Sequence, residues 1–365
     1  MIKIKELSRA RSIAEQCIGC NKCMKNCSML KRHCESPKEL FEEIALTGEV
    51  DRKLIYSCTG CDYCNHVCPV SLDIKEFCYE IKRQCVTDNA VPNKSGQLTV
   101  INFHKASVHP LFTYLDKKVK KGDVDTVFLP GCSLASANPK MVKEVVNKMN
   151  AIEPVGLFID CCGNPIYSVG DQDRFDDNKN RIMALLETYG VKKVVTACGN
   201  CYKTFSAFYD IEVVDLWQYM DAHSDVFVPQ VQRPIGNYSF ILHDPCAHRK
   251  NDKTHDSVRN IMNKMGIDVN EFQSGKGHTP CCGAGGMMES IMPDQAMQAQ
   301  QQRVEDAEHH RIISYCQSCV DGFRKFENEG LHLLDLIFGT PEPATKKSKP
   351  MQRWMNRLLL SNIIK

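Results

Sequence analysis

The sequence predicts an α+β protein: a mostly helical N-terminal domain, then two duplicated α/β repeats with cysteines at their strand ends. Three observations predict this. Residues 17–68 hold two tight cysteine clusters. Residues 132–319 hold two looser sets whose equivalent members recur at offsets of about 114 to 120 residues, the mark of an internal duplication. Short apolar, β-rich runs lead directly into the looser cysteines, with amphipathic helical stretches between them. The expected segments are an N-terminal domain over 1–95, a connection over 96–124, a first repeat over 125–235, a second over 236–340 and a C-terminal tail over 341–365.

Composition narrows the class. The chain has 365 residues, 21 of them cysteine, and a formal net charge of +2. A chain of this length buries a core without covalent staples, which argues against a disulfide scaffold. The opening MIKIKELSRARSIAEQC is charged throughout and has no apolar h-region of a secretory signal. No apolar run reaches the roughly 18 residues that a membrane helix requires. The expectation is a cytoplasmic, reducing compartment in which cysteines serve as metal ligands. The near-zero net charge argues against a general nucleic-acid binder.

The N-terminal cysteines come first. Cys17, Cys20, Cys23 and Cys27 follow the spacing C-x2-C-x2-C-x3-C; Cys58, Cys61, Cys64 and Cys68 repeat it, and Pro69 follows the last. This is the bacterial ferredoxin signature, in which the fourth cysteine of each run ligates the other cluster. By that rule Cys17, Cys20, Cys23 and Cys68 hold one cubane [4Fe–4S] cluster, and Cys58, Cys61, Cys64 and Cys27 hold a second. Two zinc ribbons are the alternative, but zinc does not call for a third and fourth cysteine in the same tight run. Ser28 stands where a proline often follows the fourth cysteine. Val91 to about Val124 includes Pro92, Asn93, Gly96 and Gly122, and reads as the connection to the larger part.

The repeats follow. The first runs Cys132, Cys161-Cys162-Gly163, Cys198-x-x-Cys201; the second runs Cys246, Cys281-Cys282-Gly283, Cys316-x-x-Cys319. Each continues to an apolar-Asp-Leu segment, Val213-Val214-Asp215-Leu216 and Leu333-Leu334-Asp335-Leu336. Strands are expected at Asp125–Pro130, Lys193–Thr196, Ser239–Leu242 and Arg311–Ser314, and helices at stretches such as Lys140–Met149 and Asp256–Met265. Alternating strand and helix predicts parallel sheet, whose ligands gather at the carboxyl ends of the strands. Neighbouring thiolates serve one site only if it is multinuclear, and five exceed what a cubane or a zinc ion needs. A non-standard iron–sulfur cluster in each repeat is the expectation. A thioredoxin-like dithiol is the competing reading of each C-x-x-C, and the paired cysteines beside it argue against that.

Gly131-Cys132, Asp160-Cys161-Cys162-Gly163, Cys198-Gly-Asn-Cys201, His243-Asp-Pro-Cys246, Pro280-Cys281-Cys282-Gly283-Ala-Gly-Gly286 and Cys316-Gln-Ser-Cys319 resemble the CCG-domain (cysteine-rich domain) family. With the ferredoxin motif in front, the chain to about residue 340 resembles the D-type family of heterodisulfide reductase proteins, a fusion of the C and B types. The resemblance implies one noncubane [4Fe–4S] cluster on Cys132, Cys161, Cys162, Cys198 and Cys201. It implies a second on Cys246, Cys281, Cys282, Cys316 and Cys319. It further implies that a disulfide substrate is cleaved to two thiols between them, so that these ten ligands form the reacting centre. His243 and His248 flank Cys246, either as proton or hydrogen-bond donors or as structural hydrogen bonds. The run Cys246-Ala-His departs from the Cys-His common in the family.

The same layout also resembles the iron–sulfur subunits of glycolate oxidase and anaerobic glycerol-3-phosphate dehydrogenase, which relay electrons from a flavoprotein towards a quinone or membrane partner. No G-x-G-x-x-G fingerprint follows a strand, so a redox partner (flavoprotein or membrane cytochrome) is expected as a further subunit. Cys34, Cys78 and Cys85 are left over, and read as small buried hydrophobes. Lys346–Lys365 carries six cations and no acid, with Met351, Trp354, Met355, Leu358 and Leu359 near one helical face. Such a helix either lies on an anionic membrane surface or partner groove, or packs on its own domain.

Overall fold

The computed structural model describes residues 1–228, 239–326, 328, 330–339 and 349–363. The N-terminal part is helical around a small antiparallel pair, β1 (Ile2–Lys3) with β2 (Glu49–Val50). Its longest helix, Ile74–Thr87, opens on Asp73, whose side chain accepts from the Glu76 N–H. Phe77, Cys78, Ile81 and Cys85 recur three and four residues apart on that helix and are buried. They pack with Ile13, Phe41 and Ile44 of two neighbouring helices, the Phe41 and Phe77 rings meeting edge to face at 5.0 Å. The same apolar cluster takes in Ile166, Val169 and Phe175 of the first repeat and Ile291 of the second. The three parts therefore share a core.

The connection over 96–124 carries structure of its own. Asn93 caps the helix Lys94–Ser107 by accepting from the Gly96 N–H, and donates to the carbonyls of Ser290 and Ile291. A Cβ at Gly96 would lie 2.1 Å from the Ser290 carbonyl oxygen, so this contact with the second repeat admits no side chain. The strand β3 (Tyr114–Leu115) then leads into the first repeat.

Each repeat forms its own sheet. The first holds β4 (Thr126–Leu129), β5 (Gly156–Ile159), β6 (Lys193–Thr196) and β7 (Glu212–Asp215), in the order β3-β5-β4-β6-β7. Only β3 runs antiparallel. The second holds β8 (Phe240–His243), β9 (Asn270–Glu271), β10 (Arg311–Ser314) and β11 (Leu331–His332), all parallel. Its order, β11-β10-β8-β9, matches β7-β6-β4-β5 strand for strand. Leu129 pairs with Thr196 as His243 pairs with Ser314. The duplication is thus one of topology and register. The two sheets join through a common core containing Trp217, Tyr315, Leu334, Val258 and Met262.

Several boundaries differ from those expected. The strand at Ser239–Leu242 lies one residue later, and the helix over Asp256–Met265 begins at Asp252, where Asn251 caps it. β5 and β9 were not anticipated; β9 is two exposed polar residues at a sheet edge.

Of the two readings of the tail, packing on its own protein is the one seen among the described residues; Lys346, Lys347 and Lys365 lie outside them. The helix Pro350–Ile363 packs on Cys132–Ala137 and Pro139–Asn150. Trp354 sits 5.8 Å from the Phe103 ring and 4.7 Å from Phe112, and Leu360 is fully buried. Arg353 pairs with Asp321, and Arg357 donates to the hydroxyl and carbonyl of Ser107. These two cations and the tryptophan face the protein, so they do not face a membrane. Met351, Met355 and Leu359 remain exposed. Among the described residues, no helix is long and apolar enough to cross a membrane. Truncating Leu360 to Ala should destabilise the protein by about 2–5 kcal/mol, seen as a lower thermal midpoint. Leu359→Ala on the outer face should change stability by no more than about 0.5 kcal/mol.

Candidate metal centres

The fold brings the eight N-terminal cysteines together around two neighbouring cavities. Cys17, Cys20, Cys23, Cys64 and Cys68 line one small cavity. Burial, then the neighbouring Cys17 and Cys68, push the Cys23 thiol up to about 12. Cys27 is held up by burial and by Cys61 and Cys58 instead, which places it with the second run. The 3-10 turn Lys22–Met24 enters from Asn21 in the left-handed region, at φ 51°, and so wraps the chain tightly enough to separate Cys27 from Cys23.

Beside Cys58 lie Cys78, which the sequence reads as a small buried hydrophobe and which is corrected here, and Lys82, which the sequence reading passed over. Cys78 hydrogen-bonds Cys58, and this bond lowers the Cys58 thiol to about 6 while raising Cys78 well above the ordinary range. Lys82, 1% exposed, donates to the Cys58 carbonyl at 2.7 Å and to the Ser168 carbonyl at 3.1 Å. The helical periodicity of 74–87 marks both as inward-facing, but carries no sign of what they would meet. Cys85 is buried in the apolar core, and the half-buried Cys34 thiol is directed at the Leu30 carbonyl.

In the first repeat the cysteines follow the carboxyl ends of β4, β5 and β6 and converge. Cys132 hydrogen-bonds Cys161, and Cys201 hydrogen-bonds both Cys162 and Cys198. Gly131, at φ 79°, makes this possible: a Cβ there would sit 2.5 Å from the Cys198 Cβ. Asp160 beside the pair accepts both terminal nitrogens of Arg181, at 2.7 and 2.9 Å. Arg357 of the tail helix reaches Cys132, which the bond from Cys161 and this cation bring down to about 6.

The second repeat repeats the arrangement. Cys281 hydrogen-bonds Cys246 and Cys282, and is held well below the ordinary thiol range by them. The Cys282 and Cys319 sulfurs lie 3.1 Å apart. Cys316 is lowered to about 7 by its bond with Cys319. His243 is fully buried, and burial followed by the nearby Arg303 cation lowers its imidazole to about 3. His248 is engaged elsewhere: its Nε2 lies 2.8 Å from Asp215 Oδ2 at the end of β7, with both groups buried.

Contacts tie these sites together. Ser133, next to Cys132, hydrogen-bonds Ser318 of the second C-x-x-C at 2.9 Å, so the two repeat sites adjoin. A Cβ at Gly199 would strike the His248 ring at 2.5 Å. The Thr59 hydroxyl bonds Cys281, and a Cβ at Gly286 would lie 2.8 Å from the Thr59 Cα. Buried Arg249 donates to the Cys61 carbonyl at 2.8 Å and to the Thr279 carbonyl at 2.7 Å, clamping the Cys58–Cys61 loop onto the second repeat. Lys203 donates to the Gly60 carbonyl from the first. A cavity of about 1370 Å³ opens beside this junction, lined by Cys27, Cys58, Cys61, Cys64 and Cys281 among others.

The donor sets fit polynuclear iron. In each repeat one thiol is driven towards ionisation chiefly by hydrogen bonds from neighbouring thiols that are driven away from it. A compact multiple cation stabilises several neighbouring thiolates at once.

Comparison with known proteins agrees. Residues 16–73 match the 4Fe-4S dicluster domain, and residues 126–206 and 240–324 match the cysteine-rich domain, CCG. The chain joins a 4Fe–4S dicluster domain to two CCG domains. It is therefore an iron–sulfur protein of the oxidoreductase and electron-transfer kind. Among its relatives is an uncharacterized iron-sulfur protein of Methanocaldococcus jannaschii, 23% identical over 75% of this chain; the chain spans 59% of that relative's length. The D-type subunit of the dihydromethanophenazine:CoB–CoM heterodisulfide reductase of Methanosarcina barkeri is 24% identical over 69% of this chain and 67% of its own. The B-type subunit of the CoM/CoB fumarate reductase of Methanothermobacter marburgensis is 24% identical over 86% of this chain and 68% of its own.

Gly131→Ala should cost the protein the iron of one CCG domain, because the added methyl displaces Cys198. Gly122→Ala has the same positive φ with nothing within 4 Å, and should leave metal content unchanged. Iron and acid-labile sulfide per chain after anaerobic purification check both.

Proposed function

We propose that this chain is the catalytic subunit of a disulfide reductase of the heterodisulfide type, working with a redox partner subunit. The observation that carries the reading is the meeting of two complete five-thiol sets across the repeat interface, at Ser133 and Ser318. Cys132, Cys161, Cys162, Cys198 and Cys201 would hold one noncubane cluster. Cys246, Cys281, Cys282, Cys316 and Cys319 would hold the other. Cys17, Cys20, Cys23 and Cys68, and Cys27, Cys58, Cys61 and Cys64, would hold two cubanes. Bound there, the clusters supply one-electron transfer. The reaction consumes one disulfide, two electrons and two protons, and releases two thiols.

The chain's own residues order the route. Thr59 and the Arg249 clamp set the Cys58–Cys61 loop against Cys281, so electrons leaving the N-terminal domain meet the second repeat first. Lys82 and Arg249 hold positive charge against that loop, opposing the charge that reduction adds. A pair of joined, similar sites suits a substrate with two similar sulfurs. Peripheral membrane contact would fall to Met351, Met355 and Leu359, the exposed side of the tail helix.

A second reading is electron relay without disulfide chemistry, from a flavoprotein to a quinone or membrane partner. Similarity to the EtfAB:quinone oxidoreductase of Syntrophomonas wolfei, 21% identical over 67% of this chain, favours it. Metal content and thiol response separate the two. The reductase reading expects about 16 iron atoms per chain and no zinc, from four four-iron clusters. It also expects a new paramagnetic signal when thiol is added to the oxidised protein, lost in Cys281→Ser. About 16 iron atoms with no thiol effect at any potential would leave the relay reading standing alone.

A further inference from the structure

The two CCG domains match in cysteines and topology but differ at one buried position. Leu129 and His243 are each the last residue of the first strand of their repeat, pair with Thr196 and Ser314 respectively, and stand three residues before the first cysteine. Both are buried. Leucine offers the site nothing polar. Histidine at this depth needs a reason, because a buried imidazole nitrogen without a partner is costly.

One nitrogen has its partner. Arg303 Nε donates to His243 Nδ1 at 3.1 Å. A guanidinium has no acceptor, so Nδ1 carries the lone pair and the proton of the neutral ring sits on Nε2. Arg303 is itself fixed: it stacks 3.4 Å over the Phe272 ring and donates to the Ser274 carbonyl at 3.1 Å. The Phe323 ring meets the imidazole edge to face at 5.0 Å and limits its rotation. The tautomer and the orientation of His243 are therefore both set.

The other nitrogen, Nε2, has no hydrogen-bond partner among the described residues and no access to solvent. A ring nitrogen of His243 and the sulfurs of Cys282 and Cys319 all lie within 4.8 Å of one another. Since Arg303 occupies Nδ1, Nε2 is the nitrogen left to engage those sulfurs. It presents a proton and not a lone pair, so it is unsuited to ligate metal and suited to donate to sulfur.

We propose that His243 Nε2–H donates a hydrogen bond to the sulfur atoms of the second CCG site and raises the reduction potential of the cluster held there; Leu129, at the equivalent position of the first site, offers no donor. An N–H directed at cluster sulfur stabilises the extra negative charge of the reduced state. His243 is thus a positioning and tuning residue of the second site, as the Arg357 cation is of Cys132 in the first. Placed at the site next to the Cys58–Cys61 loop, it favours electron arrival there. This inference rests on the reading that each CCG domain holds a cluster.

The test is a potentiometric titration followed by electron paramagnetic resonance on the full chain, purified anaerobically, with iron and sulfide counted first. The signal lost in Cys319→Ser identifies the second site. In His243→Leu that signal should appear at lower potential with unchanged iron, and the first-site signal should not move. His243→Gln, which keeps an N–H donor, should restore part of the shift. An unmoved midpoint in His243→Leu overturns the proposal. Should that variant lose its iron, wild-type protein carrying isotopically labelled histidine decides. A histidine nitrogen coupled to the second-site signal and absent from the first is expected, and its absence overturns the proposal. A wild-type count of about 8 iron atoms instead removes the cluster reading itself, and this proposal with it.

Discussion

Thiols packed sulfur to sulfur inside a protein cannot all ionise, yet a metal cluster requires that they do. This conflict governs the architecture. Cys282 and Cys319 approach to 3.1 Å, and hydrogen bonds link the thiols within each five-cysteine set. Such networks are tolerable because the partners are soft and mutually satisfying. They become favourable sites once a polynuclear cation replaces the protons.

The surrounding fold answers the same charge problem from outside. Buried or half-buried cations and donors stand against the sites: Lys82 and Arg249 at the Cys58–Cys61 loop, Arg357 near Cys132, and the Arg303–His243 pair at the second repeat. Several also join parts of the chain. Arg249 links the N-terminal domain to the second repeat, Lys203 links it to the first, and Arg357 ties the tail helix to the helix that ends at Ser107. Charge compensation and assembly are performed by the same side chains, which is why the N-terminal domain shares its apolar core with both repeats.

The duplicated topology explains where the sites meet. In each parallel sheet the first strand is flanked by the second on one side and the third on the other, so the loops after all three converge at one carboxyl edge. Two such edges adjoin at Ser133 and Ser318. The duplication then diverged in what surrounds the cysteines. Asp160 with Arg181 supports the first pair, whereas Asp244 with Arg259 and His243 with Arg303 support the second.

The cysteine spacings by themselves determined the two ferredoxin-type runs, the duplication and the strand-then-cysteine order. Ligand spacing is a local geometric property, and a chain carries local geometry in its sequence. β5 was legible in Gly156–Ile159 as an apolar run before Asp160, but β9 was not: two polar residues acquire strand geometry only by pairing with β8. Cys78, Lys82 and Arg249 belong to the sites through contacts across the chain, and nothing in their own neighbourhoods marks them. The tail showed the same limit. Its periodicity gave a helix with apolar and basic residues, while the choice of Trp354, Arg357 and Leu360 as the inward face was made by the surface it packs on. Which nitrogen of His243 bears the proton is likewise a tertiary decision, because it depends on Arg303, sixty residues away in the chain.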